Sequence, residues 1–445
     1  MTSLSKSKRS SAKPSTSKGD DSKRGSVRAL MTLNFFIADV QNGMGAFVAL
    51  YLMAGVGWNA AQIGTALAAG SIAQVLAQTP AGALIDQLRQ KRALIITGGV
   101  MIAIGCLSIA LLSTLTVVTA GQALIGVAGA IFPPCLAAIA LGLVGRKRMD
   151  RQMGTNQAFN AAGNMTAAVV FGVVGYFFGL KWMFYLVVVF VVIAIICVLR
   201  IKPGDIDFDL ARGADRDGAA PNECVEKPKG VWNGLKDLLV CFGQLFKQQA
   251  VLVFLVSAVI FHFANAAMVP LVTELLGKNQ GVDKAILFTS GYMVASQFVF
   301  IIVAALSGRL ASKIGRKPLF LFAFAALAVR GLLYTLSRNP VALIAVQCMD
   351  GLGAGIFGVV AVLIIADLTK GTGRFNAAQG AIATAQGTGA FLSNSIAGYV
   401  VHHAGANAAF YMLAAIAAVG LIFFWLLMPE TKGIAHGNQA APAAA

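Results

Sequence analysis

Apolar blocks of about 20 residues recur from residue 30 to residue 428, separated by short polar or basic loops. In hydrocarbon only helices and closed barrels satisfy every backbone N–H and C=O, and blocks of this length are helical spans. The recurrence restricts the chain to an all-α, polytopic membrane protein. Composition agrees: 58% of residues are hydrophobic and 12% charged, with a mean hydropathy of +0.76, against about 25% charged in ordinary chains. Spans are predicted near 30–53, 61–86, 92–113, 115–145, 153–179 and 181–200, then 248–276, 283–311, 318–337, 340–368, 375–402 and 406–428. Twelve helices fall into an N-terminal six-helix bundle (30–200) and a C-terminal one (248–428).

The net charge of +17 is explained by its distribution, not by nucleic acid. Basic residues crowd into alternate loops: the N-terminal tail, Arg89-Lys91-Arg92, Arg146-Lys147-Arg148, the 201–247 segment, Arg309-Lys313-Arg316-Lys317 and Lys370/Arg374. Positive loops stay inside, so both termini are expected in the cytoplasm. Residues 1–29 are Ser/Lys-rich, lack the apolar core of a signal peptide, and read as a disordered cytoplasmic tail. Residues 429–445 read as a second tail. The 201–247 segment reads as a cytoplasmic linker. Its Trp232, Leu235, Leu239, Phe242 and Phe246 share one helical face, which suits an amphipathic helix lying in the membrane interface. Six scattered cysteines give neither metal spacing nor a disulfide framework. No cofactor is expected.

The halves repeat. QALIGVAGAIF from Gln122 and QCMDGLGAGIF from Gln347 match at a shift of about 225 residues. The loops after the second and eighth spans repeat too: GALIDQLRQKR from Gly82 and GRLASKIGRKP from Gly308. Together they resemble the Gly-x-x-x-Asp-x-x-Gly-Arg-Lys loop of the major facilitator superfamily. Arg89 stands in the first copy where Gly is usual, and Ser312 in the second where Asp is usual. The resemblance covers residues 30 to 428. It implies a twelve-helix transporter of bacterial type, two pseudo-symmetric bundles around a central cavity, and monomeric function.

In that loop glycine permits close helix approach, and Asp86 can accept charge-assisted hydrogen bonds from a neighbouring helix end or from basic partners. Gly82, Asp86, Arg92, Gly308, Gly315, Arg316 and Lys317 are therefore the expected cytoplasmic gate. A purely topological role for the basic residues stays open. Gln122 and Gln347 occupy the position where many proton-coupled members carry arginine. Coupling here does not rest on that arginine.

The same resemblance implies that the first, fourth, seventh and tenth spans line the cavity. Asp39, Gln41 and Asn42 lie in the first, His262 and Asn265 in the seventh, and Gln347 and Asp350 in the tenth. Asn160 in the fifth and Gln386 in the eleventh flank it. A charged side chain at the bilayer centre costs about 3 kcal/mol or more. Asp39, about 14 Å deep by helix rise, and Asp350 are therefore the candidate proton or substrate carboxylates. With Asn42, Gln41, Gln122, His262, Asn265, Gln347, Asn160 and Gln386 they form the candidate site. Helix–helix glue is the alternative for each amide, and fixing of helix register by a paired acid is the alternative for Asp39 and Asp350. Glu274 can be solvated at the outer end. Arg330, in the ninth span, can snorkel to the interface or pair with a carboxylate.

The expectation is a secondary transporter of a bacterial inner membrane, with a small-molecule substrate, protons and lipid as partners. Apolar walls with amides and acids suit efflux of an amphipathic or weakly cationic compound by proton antiport. Proton symport of a neutral or carboxylate metabolite is the second reading, and a non-transporting sensor or scaffold a third. No nucleophile–base set, nucleotide loop or metal cluster suggests an enzyme.

Overall fold

The computed structural model describes residues 17–40, 48, 51–58, 60–214, 248–272, 275 and 282–433. Among them are helices and no strands. The long helices are α1 (Ser17–Val40), α2 (Ala60–Gln87), α3 (Lys91–Leu111), α4 (Leu115–Val144), α5 (Arg146–Phe178), α6 (Trp182–Arg200), α7 (Gln249–Ala266), α8 (Val282–Ile314), α9 (Lys317–Leu336), α10 (Pro340–Leu368) and α11 (Phe375–Leu427). Nine of the described helices are long and apolar enough to cross a membrane. The last, α11, is a 53-residue run broken at Gly405, whose φ of 82° only glycine adopts freely. It therefore holds the two arms expected at 375–402 and 406–428.

Helix pairing repeats between the halves. In the first, α1 packs on α5 and α6, α2 on α4, and α3 on α4 and α6. In the second, α7 packs on α11, α8 on α10, and α9 on α10 and α11. Small residues set the closest approaches. A Cβ on Gly126 of α4 would overlap the Gly70 carbonyl of α2, and one on Gly351 of α10 would overlap the Ser296 carbonyl of α8. The two glycines are repeat-equivalent, so each half uses the same close crossing. Without a hydrophobic drive between helices in lipid, such backbone approach is what holds them together. Aromatic rings fill the C-terminal set: Phe254, Phe261, Phe320, Phe324, Phe357 and Phe424 pack edge-on or stacked.

Three boundaries differ from expectation. The expected disordered tail at 1–29 is helical from Ser17. Its polar composition hid a tether: Ser22 donates to Asp205 at 2.9 Å, Ser26 donates to Asp205 at 2.6 Å, and Lys202 N–H donates to Ser26 at 3.2 Å. Helix α5 begins at Arg146, not near 153, so Arg146-Lys147-Arg148 is its first turn and not a loop. The linker is ordered at its start. A 3₁₀ turn at Pro203–Asp205 and a short helix at Phe208–Ala211 dock on both halves. Asp207 N–H donates to Gly142 O of α4, Gly371 N–H donates to Gly213 O, and Phe375 N–H donates to Arg212 O. The rest of the linker, including the expected interfacial helix, lies outside the described residues, as do residues 1–16 and 434–445.

Candidate functional site

Two seams join the halves, α2 with α11 and α5 with α8. Both close at the end of the molecule that carries the basic loops. On the first seam Asp86, at the end of α2, faces the start of α11. Its Oδ1 accepts from the Asn376 backbone N–H (3.0 Å) and side-chain amide (2.7 Å), and its Oδ2 accepts from Ala377 N–H (2.8 Å). The first N–H groups of a helix have no internal partner and carry the positive end of its dipole, which is what a carboxylate satisfies best. Asn376 also donates to Ala211 O of the linker at 3.2 Å. Beneath this bond Thr79 and Thr384 hydroxyls meet across the seam at 2.9 Å.

On the second seam the cation is Arg316. Its Nη2 donates to Asp150 Oδ1 of α5 at 2.9 Å, its Nε to Asp367 Oδ2 of α10 at 2.9 Å, and its Nη1 to Ala311 O at 2.8 Å. The three acceptors are met by three different nitrogens spread round one planar guanidinium, a geometry that the single nitrogen of a lysine could not match. Gly315 turns the chain into this position with φ 100°. Glu430, after α11, ties the turn by accepting from Arg316 N–H (2.9 Å) and Lys317 N–H (3.1 Å). Its burial alone would raise its pKa. The backbone donors from Lys432, Arg316, Lys317 and Thr431 outweigh that and hold it below the usual glutamate value.

The two latches are related by the repeat. A Cβ on Gly82 would overlap Asn376 O, and one on Gly308 would overlap Asp150 O. A Cβ on Gly380 would overlap Gln78 O, and one on Gly154 would meet Ala304 O at 2.6 Å. The same shift of about 225 residues that matches the two Gln-Gly segments also pairs Gly82 with Gly308, Gly154 with Gly380, and Asp150 with Asn376. Ser312 stands where the second loop lacks its aspartate. The acid of that seam is supplied from across it, by Asp150. Asp150, Asp367, Asn376 and Glu430 were not anticipated. The signal that could have found Asp150 was a single acid inside the basic run RKRMDR, at the repeat position of Asn376.

Other expected gate residues fall elsewhere. Arg92 donates to Val198 O and Leu199 O, capping the end of α6, and so serves a helix terminus within its own half, not the seam. Lys91 is buried and donates to Ile85 O at 2.6 Å. Lys317 contributes its backbone N–H.

Within the C-terminal set a polar network runs through the spans. Arg330 of α9, 1% exposed, pairs with Asp350 of α10. Its Nη2 also donates to Asn265 Oδ1 of α7 at 2.7 Å, and it lies against Met268 Sδ. Asp350 Oδ2 accepts from Ser296 Oγ of α8 (3.2 Å) and from Gln347 Nε2 (3.1 Å), and Tyr334 donates to Gln347 Oε1. Of the two roles open to Arg330, pairing is the one observed. Four helices thus meet on one ion pair, and three expected site residues, Asn265, Gln347 and Asp350, are brought together.

Among the described side chains, the remaining candidates lie outside that network. His262 bonds Ala258 O of its own helix through Nδ1 at 3.1 Å and sits edge-on to Phe357. Gln122 is buried where α4 crosses α2, with its Nε2 unpartnered. Asn160 donates to Asn34 O of α1 at 3.4 Å. Gln386 is half-buried on α11. Asp39 is in α1, its side chain outside the described residues, as are Gln41, Asn42 and Glu274.

A family model described as Major Facilitator Superfamily matches residues 30–336 and 281–444. Two Mycobacterium tuberculosis proteins, from strains CDC 1551 / Oshkosh and ATCC 25618 / H37Rv, each carry the name uncharacterized MFS-type transporter. Each is 43% identical over 405 residues, which cover 91% of this chain and 93% of the relative. Among solved structures, the proton:xylose symporter XylE bound to 6-bromo-6-deoxy-D-glucose aligns with a TM-score of 0.69 at 13% identity, over 94% of this chain and 98% of its own. FucP in the outward conformation aligns with 0.69 at 16% identity, over 92% and 100%. At these identities the two structures report the fold.

Proposed function

The chain belongs to the major facilitator superfamily of membrane transporters, and from that membership and the latched geometry we propose a proton-coupled secondary transporter working by alternating access. It is a transporter, not an enzyme. The observation that carries the reading is the paired closure of both seams at one end through bonds that water can replace. Rigid-body rocking of two bundles needs such a closure, strong enough to populate one state and weak enough to open. By the positive-inside rule that end faces the cytoplasm of a bacterial inner membrane, so the latched state faces outward.

The proposed architecture is twelve spans in two six-helix bundles. The proposed cargo is an amphipathic or weakly cationic organic compound moved outward in exchange for protons. Asp39 on α1 and the Asp350–Arg330 pair are the proposed charge-changing groups. Protonation of Asp350 would free the Arg330 guanidinium, which would then lean on Asn265. Support comes from the network across α7, α8, α9 and α10, which holds an acid, amides and Met268, with Arg330 its one cation among the described residues.

The test uses inside-out vesicles with an acidic interior and a panel of drugs, siderophores, amino acids and carboxylates. A cargo exported by antiport collapses the pH gradient on addition. Folded Asp39→Asn and Asp350→Asn proteins should each bind the compound without collapsing it. Collapse at the wild-type rate in both variants would remove these acids from the proton path. Collapse only with the opposite gradient would establish symport instead.

A further inference from the structure

A cleft of about 490 Å³ opens at the basic end between the N-terminal turns of α1, the end of α4 and the start of α5. Lys23, Arg24 and Arg28 enter it from α1, and Arg148 and Arg151 from α5. All five are exposed, and none has a hydrogen-bonding or ion-pairing partner for its side chain among the described residues. Acids border the cleft but not its arginines: Asp150 holds Arg316, Asp205 holds Ser22 and Ser26, Asp209 pairs with Arg212, and Asp207 caps the short helix, with Asp205, Asp207 and Asp209 lining an adjacent cleft on the Lys23 side. Five cations on facing helix ends repel one another unless an anion lies between them.

The rest of the lining is largely apolar: Val27, Met31, Leu143 and Val144, with Gln152 and Thr155 of α5, whose side chains donate to Asn156 and to Arg151 O of their own helix. Positions 23, 27 and 31 lie four apart on α1, and 24 and 28 likewise, so cations and apolar side chains share one helical stripe. Met31 is one residue into the predicted first span, which begins at residue 30. The cleft is therefore at the height where headgroups give way to acyl chains. A small free anion would use the arginines and leave the apolar lining wet. A membrane amphiphile uses both.

We propose that this cleft is a binding site for an anionic phospholipid, its phosphate held by Arg24, Arg28, Arg148 and Arg151 and its upper acyl chain laid on Val27 and Met31. Basic clefts between transmembrane helices take such headgroups. The site ties the α1 extension to the turn of α5 that carries Asp150, so the lipid would rest within one helical turn of a latch residue.

Native mass spectrometry of the full-length protein in detergent tests this with added phosphatidylglycerol, cardiolipin and phosphatidylcholine. Anionic lipids should bind and phosphatidylcholine should not. Near an anionic surface each basic residue contributes about fivefold in affinity, so Arg24→Gln with Arg28→Gln, or Arg148→Gln with Arg151→Gln, should weaken the first bound lipid roughly 25-fold. The control pair Arg309→Gln with Lys313→Gln, at the basic end of α8, should leave it unchanged. Arg→Lys at the same four positions should keep most of the binding and so exclude misfolding as the cause. An equal loss in the control pair would overturn the site in favour of diffuse surface charge. Displacement of the lipid by millimolar pyrophosphate would overturn it in favour of a free-anion site.

Discussion

At the residue scale Arg330 is a guanidinium almost wholly removed from solvent inside a span. It persists because Asp350 and Asn265 take its donors. Removing one partner of such a pair leaves an uncompensated charge and costs about 3–5 kcal/mol, whereas replacing both by apolar groups is often neutral. Asp350→Asn alone should therefore lower thermal stability in detergent more than the double variant Arg330→Met with Asp350→Leu. A double variant as unstable as the sum of the singles would show that the two do not act as a pair. Asp350 was legible from its depth in an apolar span. Arg330 was legible as a cation that could pair with a carboxylate, but not which one, because it and Asp350 are 20 residues apart on different helices and only packing brings them together. Glu430 carries a separate expectation. Its native pKa lies below its unfolded value, so its contribution is present above the unfolded value near 4.5 and is lost as pH falls through the native one. Hydrogen exchange at the Arg316 and Lys317 amides should therefore accelerate, beyond the intrinsic pH effect, only in the acid range below 4.5. Constant protection into that range would mean the carboxylate does not hold the turn.

At the scale of elements, hydropathy located the helices well and their ends poorly. Length in hydrocarbon fixes where a span must be, but an end is fixed by what caps it. The α1 extension to Ser17 depends on Asp205, which lies far along the chain, so a Ser/Lys-rich stretch looked unstructured. The start of α5 at Arg146 was hidden because a basic first turn reads as a topogenic loop. The two-seam arrangement was partly legible through the repeated glycine loops, while the strand of linker that bridges both halves was not, since backbone bonds such as Gly371 N–H to Gly213 O leave no side-chain signature. The α2–α11 seam offers a direct check. Thr79 and Thr384 oxygens are 2.9 Å apart, close to disulfide reach once both become sulfur. In a background without the native cysteines, Thr79→Cys with Thr384→Cys should crosslink under mild oxidation and stop transport, and reduction should restore it. Crosslinking that leaves transport intact would show that this seam stays shut through the cycle.

At the scale of the whole molecule the question is whether the two latches act together. They lie on different seams, Asp86 with Asn376 and Ala377 on one, Asp150 with Arg316 on the other, and among the described residues no side chain belongs to both. If the halves rock as rigid bodies, either latch opposes the same motion, and their energies add. Distant sites without shared partners add within about 0.5 kcal/mol. A charge-assisted hydrogen bond contributes about 1.5–3 kcal/mol, so loss of one latch should shift the equilibrium by roughly 10- to 150-fold and loss of both by about the product. Asp86→Asn and Arg316→Gln therefore make a cycle whose readout is the labelling rate of a cysteine at Thr79 by a thiol reagent added from the basic side. The single variants should each label faster than the parent, and the double variant faster by the product of the two increments. A double variant no faster than the quicker single would mean that each seam opens by local bending of its own helices. The docked 203–214 segment sharpens the distinction. Through Asn376 it touches the first latch and through Asp207 it touches α4, so it resists rigid rotation but not a local opening of the α5–α8 seam. With a second reporter cysteine on the α5–α8 seam, rigid rocking predicts that replacing Asp207-Phe208-Asp209-Leu210 by a flexible Gly/Ser run raises labelling at both reporters by one common factor, while local bending would confine the increase to the Thr79 reporter.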